Sequence, residues 1–120
     1  MMLTGQIKVT DLNGVPVASL EGEIDIANAA QLRAQLTAAV PNTASRFIID
    51  LTPTSYLDSR GVHLILEVAE RAARGQQLVR LVVPSDSHVY RILQFSRVQD
   101  AVPIDATVED AVRAITKAHP

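Results

Sequence analysis

The sequence predicts an α/β domain: an opening β-hairpin, then alternating helices and strands in a mixed, mostly parallel sheet. Three observations carry this expectation. Asn13-Gly14 separates two runs with strand character, and that dipeptide supplies the positive-φ pair of a tight hairpin turn. Phe47-Ile48-Ile49 and Leu78 to Val83 are near-continuous apolar runs, as strands buried on both faces require. Segments with helical apolar spacing lie between them, and such alternation implies parallel strands joined by helical crossovers. A length of 120 residues suits one domain, taken here as residues 1–120.

Each element has its own local reason. Residues 6–12 alternate apolar Ile7 and Val9 with polar neighbours, the pattern of a half-buried strand, and Val15 to Ile24 completes the hairpin. Ala29, Leu32, Leu36 and Val40 then fall at helical spacing within residues 27–40, with Asn28 and Gln31 as candidate caps and Pro41-Asn42 as the stop. Arg46 to Leu51 reads as a central strand and Thr52-Pro53-Thr54-Ser55 as a loop. A long helix follows from Ser59 to Arg74, ended by Gly75. Leu78 to Val83 is the next buried strand, interrupted by Arg80. Pro84-Ser85-Asp86-Ser87 introduces a helix bearing Val89, Ile92 and Leu93. A short apolar piece at Val102 to Ile104 and a terminal helix from Val108 to Lys117 complete the chain.

Composition excludes several functions. Hydrophobic residues make up 48% and charged residues 20%, which fits a globular chain and neither a disordered one nor a coiled coil. The absence of cysteine removes disulfide scaffolds, thiolate zinc sites, iron–sulfur clusters and cysteine nucleophiles. Eleven Lys and Arg against 13 Asp and Glu give a net charge of −2, no footprint for direct nucleic-acid binding. Apolar stretches are too short for membrane insertion, and Met1-Met2-Leu3-Thr4-Gly5 lacks the basic and apolar regions of a secretory signal. The expected location is cytoplasmic.

The most informative segment is Tyr56-Leu57-Asp58-Ser59-Arg60-Gly61-Val62, where a strand and loop hand over to a helix. Ligands of open α/β sheets bind at the carboxyl ends of strands. Asp58 or Ser59 also suits an N-cap, since either side chain accepts a bond from an otherwise unpaired backbone N–H. Together with Glu21-Gly22-Glu23-Ile24-Asp25 upstream and Phe47-Ile48-Ile49-Asp50-Leu51 between, this segment resembles the STAS domain, specifically the bacterial anti-sigma factor antagonists. The resemblance covers nearly the whole chain, with the motifs in the family's order, down to Gly75 before a strand closed by Pro84.

The resemblance implies a single STAS-like domain that is not an enzyme and carries no cofactor. It implies that Ser59 is phosphorylated by a partner that is both anti-sigma factor and serine kinase, and dephosphorylated by a serine phosphatase. Asp25 and Asp58 would lie beside the phosphoacceptor. The unphosphorylated protein would capture the kinase and free a sigma factor, so regulating transcription by partner switching. A phosphate adds about −1.5 to −2 charge, which a helix N-terminus tolerates, while like charges across an interface cost several kcal/mol. The alternative within the same family is a scaffold without a switch, such as an adaptor subunit of a membrane transport complex.

The helix after Ser59 offers a second candidate surface. On a helical wheel Val62, Ile65, Leu66, Ala69, Ala72 and Ala73 form one inward stripe, and Leu64 and Val68 fall outside it. Those two side chains either belong to a broader buried face or form a docking patch beside Ser59. With Asp25, Asp58, Arg60, Gly61 and His63 they make up the candidate partner-binding set. The family often has a small residue where this chain has Arg60, and Gly-Leu-Gly where it has Gly61-Val62-His63. Arg60 could pair with Asp58, pair with a phosphate on Ser59, or obstruct a partner built for a small side chain.

Other chemistries have weaker footing. Ser59 and His63 are four apart, but no Gly-x-Ser-x-Gly elbow accompanies them, so a serine hydrolase is not the expected reading. His63, His88 and His119 are widely separated and form no His-x-x-x-His pair, so no metal site is expected. The glycines are too scattered for a P-loop or dinucleotide fingerprint. Arg71, Arg74 and Arg80 read as solvated charges rather than an anion site.

Overall fold

The computed structural model describes residues 5–40 and 43–117; Pro41-Asn42, expected to end the first helix, and His119 lie outside them. Strand β1 (Gln6–Leu12) turns at Asn13 and Gly14, with φ of 55° and 81°, and pairs antiparallel with β2 (Val15–Ile24). Both positive values match the hairpin turn that Asn-Gly favours. Helix α1 (Ala29–Ala39) leads to β3 (Arg46–Asp50) and β4 (Thr54–Leu57). Next come α2 (Ser59–Arg74), β5 (Leu78–Val82), α3 (His88–Phe95), a 3-10 turn at Val98–Asp100, β6 (Ile104–Asp105) and α4 (Val108–Lys117).

The sheet runs β1-β2-β3-β5-β6, with β4 on β2. Every pairing except the hairpin is parallel. Phe47, Ile49, Leu81 and Val83 face one large core with α1, α2 and α3, whereas Ile48 and Val82 face a smaller one with Ala111, Val112 and Ile115 of α4. The unbroken apolar run of β3 therefore follows from period-2 alternation between two covered faces.

Strand β4 corrects the expectation of a loop at Thr52 to Ser55. The first half of β2 pairs with β3 through Val17–Ser19, but at Gly22 the register shifts and Gly22–Ile24 pairs with β4 instead. Gly22 adopts φ of 92° at this bulge, a conformation only glycine reaches cheaply. The bulge swings the end of β2 away from β3 and opens the slot that β4 fills. Thr54 fixes the slot by donating its hydroxyl to the carbonyl of Leu20.

Two smaller corrections have local causes. Gly75 follows α2 as expected but keeps φ of −87°; the left-handed residue is its neighbour Gln76, at 58°. Arg80 is no solvated charge. It is half-buried on β5, and its Nε and Nη2 donate to the two carboxylate oxygens of Asp105 on β6 at 2.6 and 3.1 Å. Such a forked pair lets a charged residue occupy an otherwise apolar strand. Arg74 pairs with Glu70 and Arg71 reaches Thr37, both at the surface.

Candidate functional site

The β2–α1 loop and the start of α2 meet at Asp58. Its backbone N–H donates to the carbonyl of Ile24 at 3.1 Å, anchoring the residue to the end of β2. Its Oδ1 accepts from the backbone N–H groups of Arg60 and Gly61 at 2.8 and 3.1 Å, the N-cap expected from sequence. Its Oδ2 accepts from the N–H of Ile26 at 3.0 Å, across 32 positions of sequence. One carboxylate thus caps a helix and fastens a second loop to it.

Asp25 and Asn28 organise that second loop. Asp25 Oδ1 accepts from Ala27 N–H at 3.0 Å, and the Asp25 carbonyl accepts from Ala29 N–H at 2.8 Å. Asn28 does not cap α1 with its side chain, contrary to expectation. Its Oδ1 accepts from Asp25 N–H at 3.0 Å and its Nδ2 donates to the Glu23 carbonyl at 2.8 Å. The buried amide satisfies both a strand end and a loop, which a cap could not do. Asp50 ends the neighbouring strand in the same economical way, accepting from Ser19 Oγ, Thr52 N and Thr52 Oγ1.

Ser59 is the first residue of α2 and is exposed. The Asp58 carboxylate at the start of this helix and Arg71 and Arg74 in its last turn both complement the helix dipole. Gly61 is buried one turn in. A Cβ there would come within 2.9 Å of Leu57 Cδ2 and 3.0 Å of the Ile24 carbonyl oxygen, so glycine lets α2 begin directly against the ends of β2 and β4.

Farther along α2 the structure divides the candidate patch. Leu64 is 2% exposed and belongs to the large core, which corrects its assignment to an exposed docking surface. Val68 is half-buried and packs on the same core. The reason is that α2 lies against α1 as well as the sheet, so its buried face is wider than one stripe; Ala73, expected inside, is exposed. His63 remains outside, 65% exposed in its side chain, with Nε2 3.4 Å from Glu67 Oε1. Glu67 also pairs with Arg33 of α1 at 3.0 Å. Arg60 is exposed and, among the described residues, makes no ion pair with Asp58 or any other carboxylate.

Sequence reasoning passed over Ile26, which is 70% exposed in the loop held by Asp58. The available signal was a lone large apolar residue between a strand end and a helix start. Tyr56, at the head of the Asp58-Ser59 segment, lies on β4, and its ring stacks with that of His88 at a centroid distance of 6.4 Å, a contact between residues 32 apart that the sequence does not signal. Among the described residues no group of three or more His, Cys, Asp or Glu side chains is placed to hold a metal. No helix there is long and apolar enough to cross a membrane.

The family model of the STAS domain matches residues 6–111. The chain belongs to the STAS domain family. Among relatives, BtrV of Bordetella bronchiseptica, named as a candidate anti-sigma factor antagonist, is 29% identical over 117 residues, covering 96% of this chain and 98% of that one. The anti-sigma-F factor antagonist RsfB of Mycobacterium tuberculosis is 28% identical over 109 residues, covering 91% and 88%. Among solved structures, an anti-sigma factor antagonist from Mycobacterium paratuberculosis superposes with a TM-score of 0.84 at 25% identity, over 94% of this chain and 95% of that one. The STAS architecture, with its hairpin, bulged β2 and inserted β4, is what brings the Asp25 loop and the Asp58-Ser59 corner together.

Proposed function

We propose that this STAS domain, one unit over the whole chain, is a cytoplasmic anti-sigma factor antagonist whose partner is exchanged by phosphorylation of Ser59. The carrying observation is the placement of that serine: exposed at the first position of a helix whose start is tied by Asp58 to a neighbouring loop. Full-length relatives named as anti-sigma factor antagonists support the same reading. The chain supplies a phosphoacceptor and no catalyst. The base that takes the Ser59 hydroxyl proton belongs to the partner. That partner is an anti-sigma factor with serine kinase activity, which transfers the γ-phosphoryl group of ATP to Ser59 Oγ. The kinase step releases ADP, and a serine phosphatase restores the hydroxyl by hydrolysis, with water as the acceptor and inorganic phosphate as the product.

Unmodified, the surface around Ser59 presents Asp25, Asp58, Arg60, His63 and the exposed Ile26 to the partner, with Val68 at its margin and Gly61 beneath. A phosphate adds about −1.5 to −2 charge at the helix start, where the helix dipole favours negative charge. The fold persists while the covering surface of the partner meets a new dianion, at a cost of several kcal/mol, roughly a hundredfold or more in affinity. Incubation with the cognate kinase and ATP, followed by mass spectrometry, should give one added phosphate on Ser59 and none in Ser59→Ala. An unmodified Ser59 would leave the non-switched scaffold reading in its place.

A further inference from the structure

Beside Ser59 a shallow, open hollow lies between α1 and the first turns of α2, with Leu64 among its apolar lining and Arg33, Arg60, His63 and Glu67 among its polar side chains. Its charge is lopsided. Glu67 is shared by Arg33 and His63, and Arg60 has no ionic partner among the described residues. The acidic loop borders the same hollow through Ile26, but its carboxylates are turned to backbone: Asp25 Oδ1 to Ala27, and both oxygens of Asp58 to Arg60, Gly61 and Ile26. Ser59 and His63, four apart on α2, share a helix face with Cβ atoms about 5–6 Å apart.

We propose that this cationic rim is an internal phosphate site: when Ser59 is phosphorylated, Arg60 and His63 hold the phosphate over the hollow, with Arg33 behind them. The inference rests on Ser59 being the modified residue. Attraction from Arg60 and His63 draws the group over the hollow, against the like charge of Asp25 and Asp58, whose oxygens are already held by backbone N–H groups. Arg60 supplies a permanently charged donor and His63 a titratable one. Glu67 is the competitor, because it draws on both His63 and Arg33. The phosphate then closes the hollow and consumes its cations, so a partner loses an opening as well as meeting a negative charge.

The test uses protein carrying genetically encoded phosphoserine at position 59, so it does not depend on any kinase. The imidazole of His63 and the phosphate are titrated by proton and phosphorus NMR. The midpoint of His63 should rise by about 0.5–1 unit on phosphorylation, against the standing influences of Glu67, Arg33, Arg60, Asp58 and Asp25, and the rise should shrink in about 1 M salt. The second ionisation of the phosphate should lie lower in the parent than in the Arg60→Ala, His63→Gln double variant. Glu67→Gln should lower it further. An unchanged His63 midpoint, or a phosphate indifferent to the double variant, would overturn the proposal. A kinase that leaves Ser59 unmodified would sink the preceding functional reading and leave this result standing.

Discussion

Asp58→Ala should destabilise the domain by more than an ordinary helix cap is worth, because the carboxylate joins two segments. Loss of the bonds to Arg60 and Gly61 N–H costs about 1 kcal/mol, the typical value for an N-cap replaced by alanine. Loss of the bond to Ile26 N–H adds about 1–2 kcal/mol, toward the lower end for a charged acceptor because water can reach the loop. The sum is about 2–3 kcal/mol. In a domain of this size each kcal/mol moves the melting temperature by roughly 3–5 °C, so the variant should melt about 6–15 °C lower. Asp58→Asn separates the contributions. Asparagine caps as well as aspartate, but its second atom is an amide donor facing a donor, so it should lose about 1 kcal/mol, or roughly 3–5 °C. Thermal melts followed by circular dichroism give both values, and hydrogen exchange at the Ile26 amide reports the loop tie directly. The reasoning fails if Asp58→Ala melts within about 2 °C of the parent, or if Ile26 exchanges at an unchanged rate in both variants.

Leu64→Ala should cost about 2–5 kcal/mol in urea titrations, as a core truncation does, while Val68→Ala costs about 1 kcal/mol or less; equal losses would contradict the division of α2 described above. Asn28→Ala should lose about 2–3 kcal/mol because the Asp25 N–H and the Glu23 carbonyl are left unpaired, and Asn28→Asp at least as much because it faces a carbonyl with an acceptor. Ile26→Asp should leave stability within about 0.5 kcal/mol but weaken partner binding tenfold or more, as loss of an exposed apolar anchor does. Calorimetry with the partner checks the last.

Much of the fold was legible because its signals are local. Asn13-Gly14 fixes the hairpin, and the apolar runs of β3 and β5 require cover on both faces. Asp58 before Ser59 marks the start of α2. What escaped depends on contacts distant in sequence. Strand β4 is short and begins in a Thr-Pro-Thr-Ser stretch; it becomes a strand because Gly22, far upstream, bulges β2 and exposes a pairing edge. Leu64 looks peripheral on a wheel that assumes one packing partner and is buried because α1 supplies a second. Arg80 is tolerated in β5 because Asp105 arrives from a later strand. At the site, the serine and its flanking acids were readable as a motif, whereas Ile26 and the bracing role of Asn28 emerge only when the loop is folded against α2.

Modification of Ser59 should change partnership without changing the fold. The most direct measurement is the affinity of the cognate anti-sigma kinase for unmodified and Ser59-phosphorylated protein, determined by calorimetry alongside thermal melts of both forms. Phosphorylation should weaken binding by about a hundredfold or more while both forms melt cooperatively at similar temperatures. Affinities within about threefold of each other, or a phosphorylated form that has lost its cooperative melt, would contradict it.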